Sequence, residues 1–356
     1  LNLSNGSVSV GSWVAVGRAG ATGTLNISGG SLTKLGDNGS HITVGSGGPG
    51  TVNQTGGTIT SVQSSTFIGE GGQPGVWNIS GGAAVLSTVY LPINNGANGT
   101  LNLNGGTFSA TEITKGNAGG TGTLNFNGGT LVAGNSANAS FLHDLNAANV
   151  LAGGAIIDSG TNVINVAQAL LDGGGNGGLT KSGPGTLRLD GINTYIGNTT
   201  VNAGTLGGIG TIAGAVNVAS GATLAPGASI GTLTINGAVT LAAGSTNVME
   251  VSKNAGTNDL VTGATSVAYG GTLVLKNLGG TLAVNDSFKL FNATSYSGSF
   301  SSVVSQTPGQ TVTWDVSQLP VNGTVKVATV VNVPVTLVSI VSGNNLNLSW
   351  PASQLG

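Results

Sequence analysis

Two histidines and eleven acidic residues are the side chains through which this chain could carry out acid–base or metal chemistry. His143 is followed directly by Asp144, whereas no carboxylate lies next to His41. Consecutive residues of a strand point to opposite faces, so His143 and Asp144 are predicted to be a poor acid–base pair. Both histidines are therefore predicted to lie in loops or on an outer face.

The acidic residues are spread along the chain without a close pair. Glycosidase-type chemistry needs two carboxylates on either side of the scissile bond, and calcium sites need several oxygen ligands. No catalytic residue, cofactor-binding residue or metal ligand is therefore predicted, and the chain is not expected to be an enzyme. The acidic residues are Asp37, Glu70, Glu112, Asp144, Asp158, Asp172, Asp190, Glu250, Asp259, Asp286 and Asp315.

Aromatic and asparagine side chains could instead form a binding stripe. Trp13, Trp77, Tyr90 and Tyr195 are interpreted as too few and too irregularly placed to stack along one face. Trp77 occupies the repeat position held elsewhere by leucine, which predicts a core residue. Five asparagines recur at one repeat position and are predicted to hydrogen-bond to one another along a ladder. They are Asn26, Asn53, Asn78, Asn102 and Asn125.

The elements that would carry these side chains follow from an internal repeat. The pattern Gly-Thr-Leu-Asn, a hydrophobic residue, Asn or Ser, then Gly-Gly occurs at residues 23–30, 99–106 and 122–129, with looser copies at 50–57 and 75–82. Apolar and polar residues alternate within each copy, as expected for a strand with one buried face. A repeat of about 24 residues is long enough for one coil of a solenoid.

Each period contains three short strand-like segments separated by glycine corners. Parallel strands in successive coils would pair with one another, and one inward apolar residue per strand would stack into a ladder. The sequence therefore predicts an all-β fold, a right-handed parallel β-helix over at least residues 1–250, followed by a C-terminal β-rich region. Leu25, Leu101 and Leu124 are predicted to occupy one internal ladder.

Composition agrees with a narrow, continuous core. The chain has 65 glycines, 6% charged and 4% aromatic residues, and a net charge of −2. The scattered basic residues give no stripe for nucleic acid, and no apolar run is long enough to span a membrane. Nucleic acid and membrane insertion are thus not expected. The absence of cysteine is compatible with secretion, since β-helices do not depend on disulfides.

After residue 150 the pattern becomes more specific. Residues 178–189 (GLTKSGPGTLRL) and 193–206 (NTYIGNTTVNAGTL) closely resemble the autotransporter-associated β-strand repeat. Residues 224–237 (LAPGASIGTLTING) are similar to the passenger segment that commonly follows that repeat. The resemblance covers 178 to about 250 and implies a secreted or surface-displayed bacterial β-helix, more often a scaffold or adhesive rod than a catalyst.

Four regions are predicted: glycine-rich solenoid repeats at 1–150, the autotransporter-associated-repeat-like β-helix at 151–250, a C-terminal β-strand region at 251–330, and the start of a small β-module or linker at 331–356. The last hundred or so residues are too few for an outer-membrane barrel, so the resemblance is expected to cover passenger-type parts alone. The mid-coil start at Leu1 suggests that upstream coils were removed or that an open end meets another subunit.

Three functions remain open at this stage. The first is a non-catalytic extracellular subunit of a bacterial surface filament, sheath or matrix, which self-assembles head to tail or laterally. The second is a monomeric adhesin or passenger rod that binds carbohydrate or a host surface. The third is a polysaccharide-active enzyme, because fold does not fix function. The predicted partners are further copies of the chain, with surface polysaccharide as a second class, and no cofactor is expected.

Overall fold

The computed structural model describes residues 1–36, 39–116, 119–135, 137, 139–333, 338–342 and 345–349, with side chains up to residue 333. Asp37 and residues 350–356, where the sequence ends, lie outside this description. The described chain is almost entirely β and winds through three faces of parallel strands, which confirms the predicted β-solenoid. The three faces enclose one continuous hydrophobic core.

The first face begins with the glycine-rich repeats and continues into short strands beyond residue 190. Thr194 N donates to Leu170 O at 2.9 Å, which joins the two parts. Its strands are Asn2–Leu3, Gly23–Ile27, Asn98–Leu103, Thr121–Phe126, Ala147–Val150, Leu170–Asp172, Ile192–Asn193, Thr211–Ile212, Thr232–Ile235, Leu260–Ala264 and Phe291–Ala293. Two long strands, Gly50–Ser61 and Gly75–Leu86, pass from the first face into the second.

The second and third faces follow the same coils. The second face contains Ser7–Val10, Ser31–Lys34, Thr107–Ala110, Thr130–Ala133, Ala155–Asp158, Leu179–Ser182, Thr199–Val201, Val216–Val218, Val239–Leu241, Val267–Tyr269 and Tyr296–Gly298. The third contains Val14–Arg18, Ile42–Ser46, Thr66–Glu70, Thr88–Tyr90, Glu112–Thr114, Ser140–Leu142, Val163–Val166, Thr186–Leu189, Thr205–Gly207, Thr223–Leu224, Thr246–Ser252, Thr272–Gly279 and Ser302–Gln306. The solenoid therefore crosses residues 150 and 250 without interruption.

The predicted register of the internal ladder is confirmed. Leu101 pairs with Trp77 on one side and with Leu124 on the other, and all three side chains are fully buried. Leu25 lies in the same ladder two coils before Trp77 and is 4% exposed. Trp77 is thus a core residue, as its repeat position predicts, and its ring packs edge-on against Phe108 at 5.6 Å.

The predicted asparagine ladder is also confirmed and is longer than expected. Each side-chain amide donates Nδ2–H to Oδ1 of the asparagine one coil earlier, at 2.7–3.0 Å, from Asn149 back to Asn2. Because one amide must stack directly on the next, this ladder fixes the lateral register of seven coils. Its members are Asn2, Asn26, Asn53, Asn78, Asn102, Asn125 and Asn149.

Glycine at the corners lets successive coils approach closely. A Cβ at Gly30 would lie 2.5 Å from the carbonyl oxygen of Gly6 in the neighbouring coil, and Gly30 has φ of +69°. Only glycine combines that conformation with that clearance. Coil length still varies: hydrogen-bonded neighbours in adjacent coils are 18 residues apart at Asn193 and Thr211 but 30 apart at Thr272 and Ser302.

An antiparallel cap covers the C-terminal end of the solenoid. It consists of Ser287–Lys289, Gln310–Asp315 and Thr324–Asn332, with the short helix Leu319–Asn322 lying against the second face. Tyr269 donates its hydroxyl to Leu319 O at 3.1 Å, which fastens the helix. A strand at Thr257–Asn258 forms a hairpin with Thr246–Ser252, and Val338–Ser342 pairs with Asn345–Ser349. No helix in the described part of the chain is long and apolar enough to cross a membrane.

Candidate functional site

Lys181, in the segment that resembles the autotransporter-associated repeat, points into the solenoid. The side chain is fully buried, and Nζ donates to the carbonyl oxygens of Ser182 and Gly183 at 2.7 Å and of Ala203 at 3.1 Å. Burial lowers the pKa of Lys181 to about 8, and the carboxylate of Asp158 opposes that shift. The lysine thus satisfies corner carbonyls in two adjacent coils.

Asn193 and Tyr195 of the same segment are likewise internal. Asn193 accepts from Leu170 N and donates to Gly191 O and Thr211 O, each at 3.0 Å, so one amide links three coils. The Tyr195 ring is fully buried, and its hydroxyl lies 2.6 Å from Thr199 Oγ1. Sequence reasoning identified this segment by resemblance but did not foresee that its polar residues are structural.

His143 forms an ion-pair cluster with two carboxylates, contrary to the sequence prediction. Nδ1 lies 2.7 Å from Asp144 Oδ2 and Nε2 lies 2.8 Å from Glu112 Oε1. The strand Ser140–Leu142 ends before His143, and Asp144 has φ of +61°, so strand alternation does not apply and the carboxylate turns back to the ring. Glu112 and Asp144, which the sequence did not predict to share a partner, contact opposite nitrogens of one imidazole.

This cluster links two coils of the third face. Burial would lower the pKa of His143, but the hydrogen bonds and charges of Asp144 and Glu112 outweigh it and raise the pKa above 6.5. Thr114 Oγ1 lies 3.3 Å from Nδ1 as a weaker third contact. Both ring nitrogens thus face a carboxylate, so the imidazole is oriented as a donor to both when protonated.

The cluster predicts a pH-dependent stability. Because the folded-state pKa of His143 is raised, its stabilising contribution is complete below pH 6.5 and is lost as the pH rises through the folded pKa. Wild-type protein should exceed a His143→Asn variant in free energy of unfolding by up to about 1 kcal/mol at pH 6, and the difference should shrink by pH 8.5. Urea denaturation at both pH values measures this, and a pH-independent difference would contradict it.

An aromatic ladder occupies the outer side of the third face in the first four coils. Of the four aromatics predicted not to stack along one face, Trp13 and Tyr90 belong to this ladder, whereas Trp77 and Tyr195 are buried inside the solenoid. The ring of His41 lies 5.1 Å from that of Trp13 and 4.4 Å from that of Phe67, and Phe67 lies 5.7 Å from Tyr90. Trp13 is 38% exposed and the other rings are partly buried. His41 is therefore packed between rings and is not a free outward histidine.

The ladder could have been found by aligning the third strands of the repeat. Phe67 pairs with Tyr90 in register, and Tyr90 pairs with Thr114. Sequence reasoning counted only tryptophans and tyrosines and so omitted Phe67 and His41. Thr114 also lies 3.3 Å from His143 Nδ1, so the column of residues that holds these rings leads to the cluster around His143.

Two further acidic residues, Asp259 and Glu250, lie beside the loop formed by residues 225–231. Asp259 is 1% exposed and accepts from Gly231 N and Glu250 N, each at 2.8 Å. Burial raises the pKa of Asp259 to about 7, helped by the nearby charge of Glu250 and opposed by those backbone donors and by Lys276. Within the described ranges, no group of three or more His, Cys, Asp or Glu side chains is arranged to hold a metal ion.

Comparison with known proteins agrees with the resemblance seen in the sequence. Residues 179–207 match the family model described as Passenger-associated-transport-repeat. No curated protein matches the chain. The family match and the solenoid together indicate an autotransporter passenger-like β-helix. Lys181, Asn193 and Tyr195 lie inside the matched segment, and Lys181 and Asn193 hydrogen-bond to neighbouring coils.

Proposed function

We propose that the protein is a non-catalytic structural subunit of a bacterial surface filament, sheath or matrix, and that its copies associate side by side. The passenger-type repeat supports a secreted or surface location. Polar residues of that repeat are engaged in internal hydrogen bonds, which suits a scaffold. The imidazole of His143 has a carboxylate at each ring nitrogen, which favours a structural role over catalysis.

The observation that carries this proposal is an uncharged outer surface on the first face, here called the Asn/Thr face. It consists of the asparagine ladder and the outward column beside it, which contains Thr24, Thr51, Val76, Thr100, Thr123 and Ala147. Each ladder amide uses one N–H and one oxygen lone pair along the axis. One donor and one acceptor per coil therefore remain available to a second copy.

Side-by-side contact is favoured over head-to-tail contact at the C-terminal end of the solenoid. The antiparallel cap and the helix Leu319–Asn322 cover that end, and the cap packs through Phe288 and Trp314, whose rings lie 6.0 Å apart. An axial partner there would have to displace the buried Phe288 ring and the partly buried Trp314 ring. A flat face with low charge has no such barrier to self-contact.

Sedimentation velocity over about a hundredfold range of concentration tests the proposal. Wild-type protein should form larger species as concentration rises, and negative-stain images should show laterally paired rods or fibres. Thr51→Lys with Thr100→Lys would place two like charges on the Asn/Thr face of every copy and should abolish this association. The matched control, Thr211→Lys with Thr234→Lys, adds the same charge to the first face in later coils, outside the Asn/Thr face.

A wild-type protein that remains monomeric throughout would overturn the structural-subunit proposal. The second candidate, a monomeric passenger rod that displays an adhesive surface, would then apply. It is favoured by the aromatic ladder, because a half-exposed tryptophan beside polar groups is typical of binding surfaces. A monomer whose binding to cells or polysaccharide falls on Trp13→Ala would support that candidate.

A further inference from the structure

A groove lies where the last solenoid coils meet the antiparallel cap. Its volume is about 940 Å³, and a neighbouring recess of about 370 Å³ shares Lys276, Asn277 and Pro308 with it. One wall is formed by Asn254 and the segment Asn277–Thr281, and the other by the turn at Pro308–Gln310 and by Asn332. The combined groove is large enough for several residues of an extended ligand.

Two amides hold the walls in place. Asn277 is 7% exposed, donates Nδ2–H to Gly280 O at 2.7 Å and accepts from Gly279 N at 3.2 Å. Gln310 accepts from Leu282 N at 2.8 Å and donates to Leu282 O and Asn332 Oδ1, both at 3.0 Å. Gln310 thereby ties the two walls together, so the groove is formed before any ligand arrives.

Other polar groups of the groove remain available to a ligand. Among the described residues, the side chain of Asn254 makes no hydrogen bond, and Asn332 uses only its oxygen, which leaves its amide N–H groups free. Thr281 is exposed and adds a hydroxyl. Such groups can both donate to and accept from the hydroxyls of a sugar. Leu278, 41% exposed, supplies apolar surface for the C–H faces of a sugar ring.

The charges at the groove are already paired. Lys276 Nζ lies 2.9 Å from Glu250 Oε1, and Lys253, beside Gly279, lies 2.7 Å from Asp286 Oδ2. An anionic polymer would have to compete with these carboxylates for both lysines. Uncharged amides and hydroxyls beside apolar surface fit a neutral ligand better.

We propose that this groove binds a neutral polysaccharide. Recognition is through Asn254, Asn332 and Thr281, with Leu278 against the ring face. With few direct contacts and no exposed aromatic platform among the lining residues, a single chain should bind with a Kd of about 0.1–1 mM. This activity does not depend on self-association, because the groove lies far along the chain from the Asn/Thr face.

Isothermal titration calorimetry with the full chain tests this site. The probes are cellohexaose, xylohexaose and maltohexaose, with hexagalacturonate as the anionic counterpart. At least one neutral hexasaccharide should bind, and Asn254→Ala with Thr281→Ala, which removes no wall contact, should weaken that binding about tenfold while the melting temperature stays unchanged. The matched control Asn217→Ala, on the second face outside the groove, should bind as the wild type does.

Three results would overturn the proposal: no heat with any neutral hexasaccharide at millimolar concentration, equal binding by the double variant and the wild type, or tighter, salt-sensitive binding of hexagalacturonate. Titration of a Leu278→Asp variant with the same neutral hexasaccharide gives a second test. The substitution should weaken binding of the neutral ligand while the exposed position keeps the fold intact, and unchanged affinity would place the ligand elsewhere. Sedimentation behaviour is measured separately, so failure here leaves the structural-subunit proposal standing.

Discussion

Replacing Leu101 by Asp is expected to lower the free energy of unfolding by about 4 kcal/mol or more. Leu101 is fully buried in a ladder between Trp77 and Leu124, where no basic side chain is paired with it in register. A carboxylate at this position would lose its hydration and break the stack in both directions along the axis. Urea denaturation followed by circular dichroism measures the loss.

Thr100→Asp is the matched control for this experiment. Thr100 precedes Leu101 on the same strand but lies on the outer side, paired with Val76 and Thr123. The same charge at this position stays in water and should change stability by less than about 1 kcal/mol. Similar losses for the two variants would show that the inward and outward positions of this strand have been assigned the wrong way round.

Replacing Lys181 by Met is expected to cost about 2–3 kcal/mol, because removal of Nζ leaves the carbonyls of Ser182, Gly183 and Ala203 without their donor. Met keeps most of the side-chain volume, so the loss reports on the hydrogen bonds and not on a cavity. Lys289→Met, at an exposed position, should change stability by less than about 0.5 kcal/mol. Denaturant unfolding of the three proteins at pH 7 gives the comparison.

The pH dependence of the Lys181 variant adds a second measurement. The folded-state pKa of about 8 is below the unfolded value, so the unfolded chain binds more protons between about pH 8 and 10.5. Wild-type stability should therefore rise relative to Lys181→Met across this window. A Lys181→Met protein as stable as the wild type at every pH would show that the turns at Ser182–Gly183 and at Ala203 do not depend on this lysine.

Periodicity was sufficient to predict the architecture because a solenoid uses each residue in the same way in every coil. Alternation in the repeat identified the buried side of Leu25, Leu101 and Leu124, and one recurring position identified the asparagine ladder. Both predictions needed only neighbours one period away. The resemblance at residues 178–206 similarly located the segment that matches the passenger repeat.

Predictions failed where a coil departs from the period. Glu112 and His143 are 31 residues apart, so no alignment at about 24 residues places them together. The positive φ of Asp144 then turns its carboxylate toward the ring, a local detail that strand alternation cannot express. The aromatic ladder was missed for a simpler reason, since His41 and Phe67 were not counted with the other rings.

The sequence by itself determined the repeat, the three strands per coil and the inward ladder, because each is set by local alternation and by glycine at fixed positions. The passenger-type segment was located by its resemblance to a known repeat. Tertiary structure alone decided which polar groups are internal, since the donors and acceptors that satisfy Lys181, Asn193 and Gln310 come from neighbouring coils or from the cap. It also decided where a groove forms. The groove depends on how the cap meets the last coils, and that junction occurs once and has no period to reveal it.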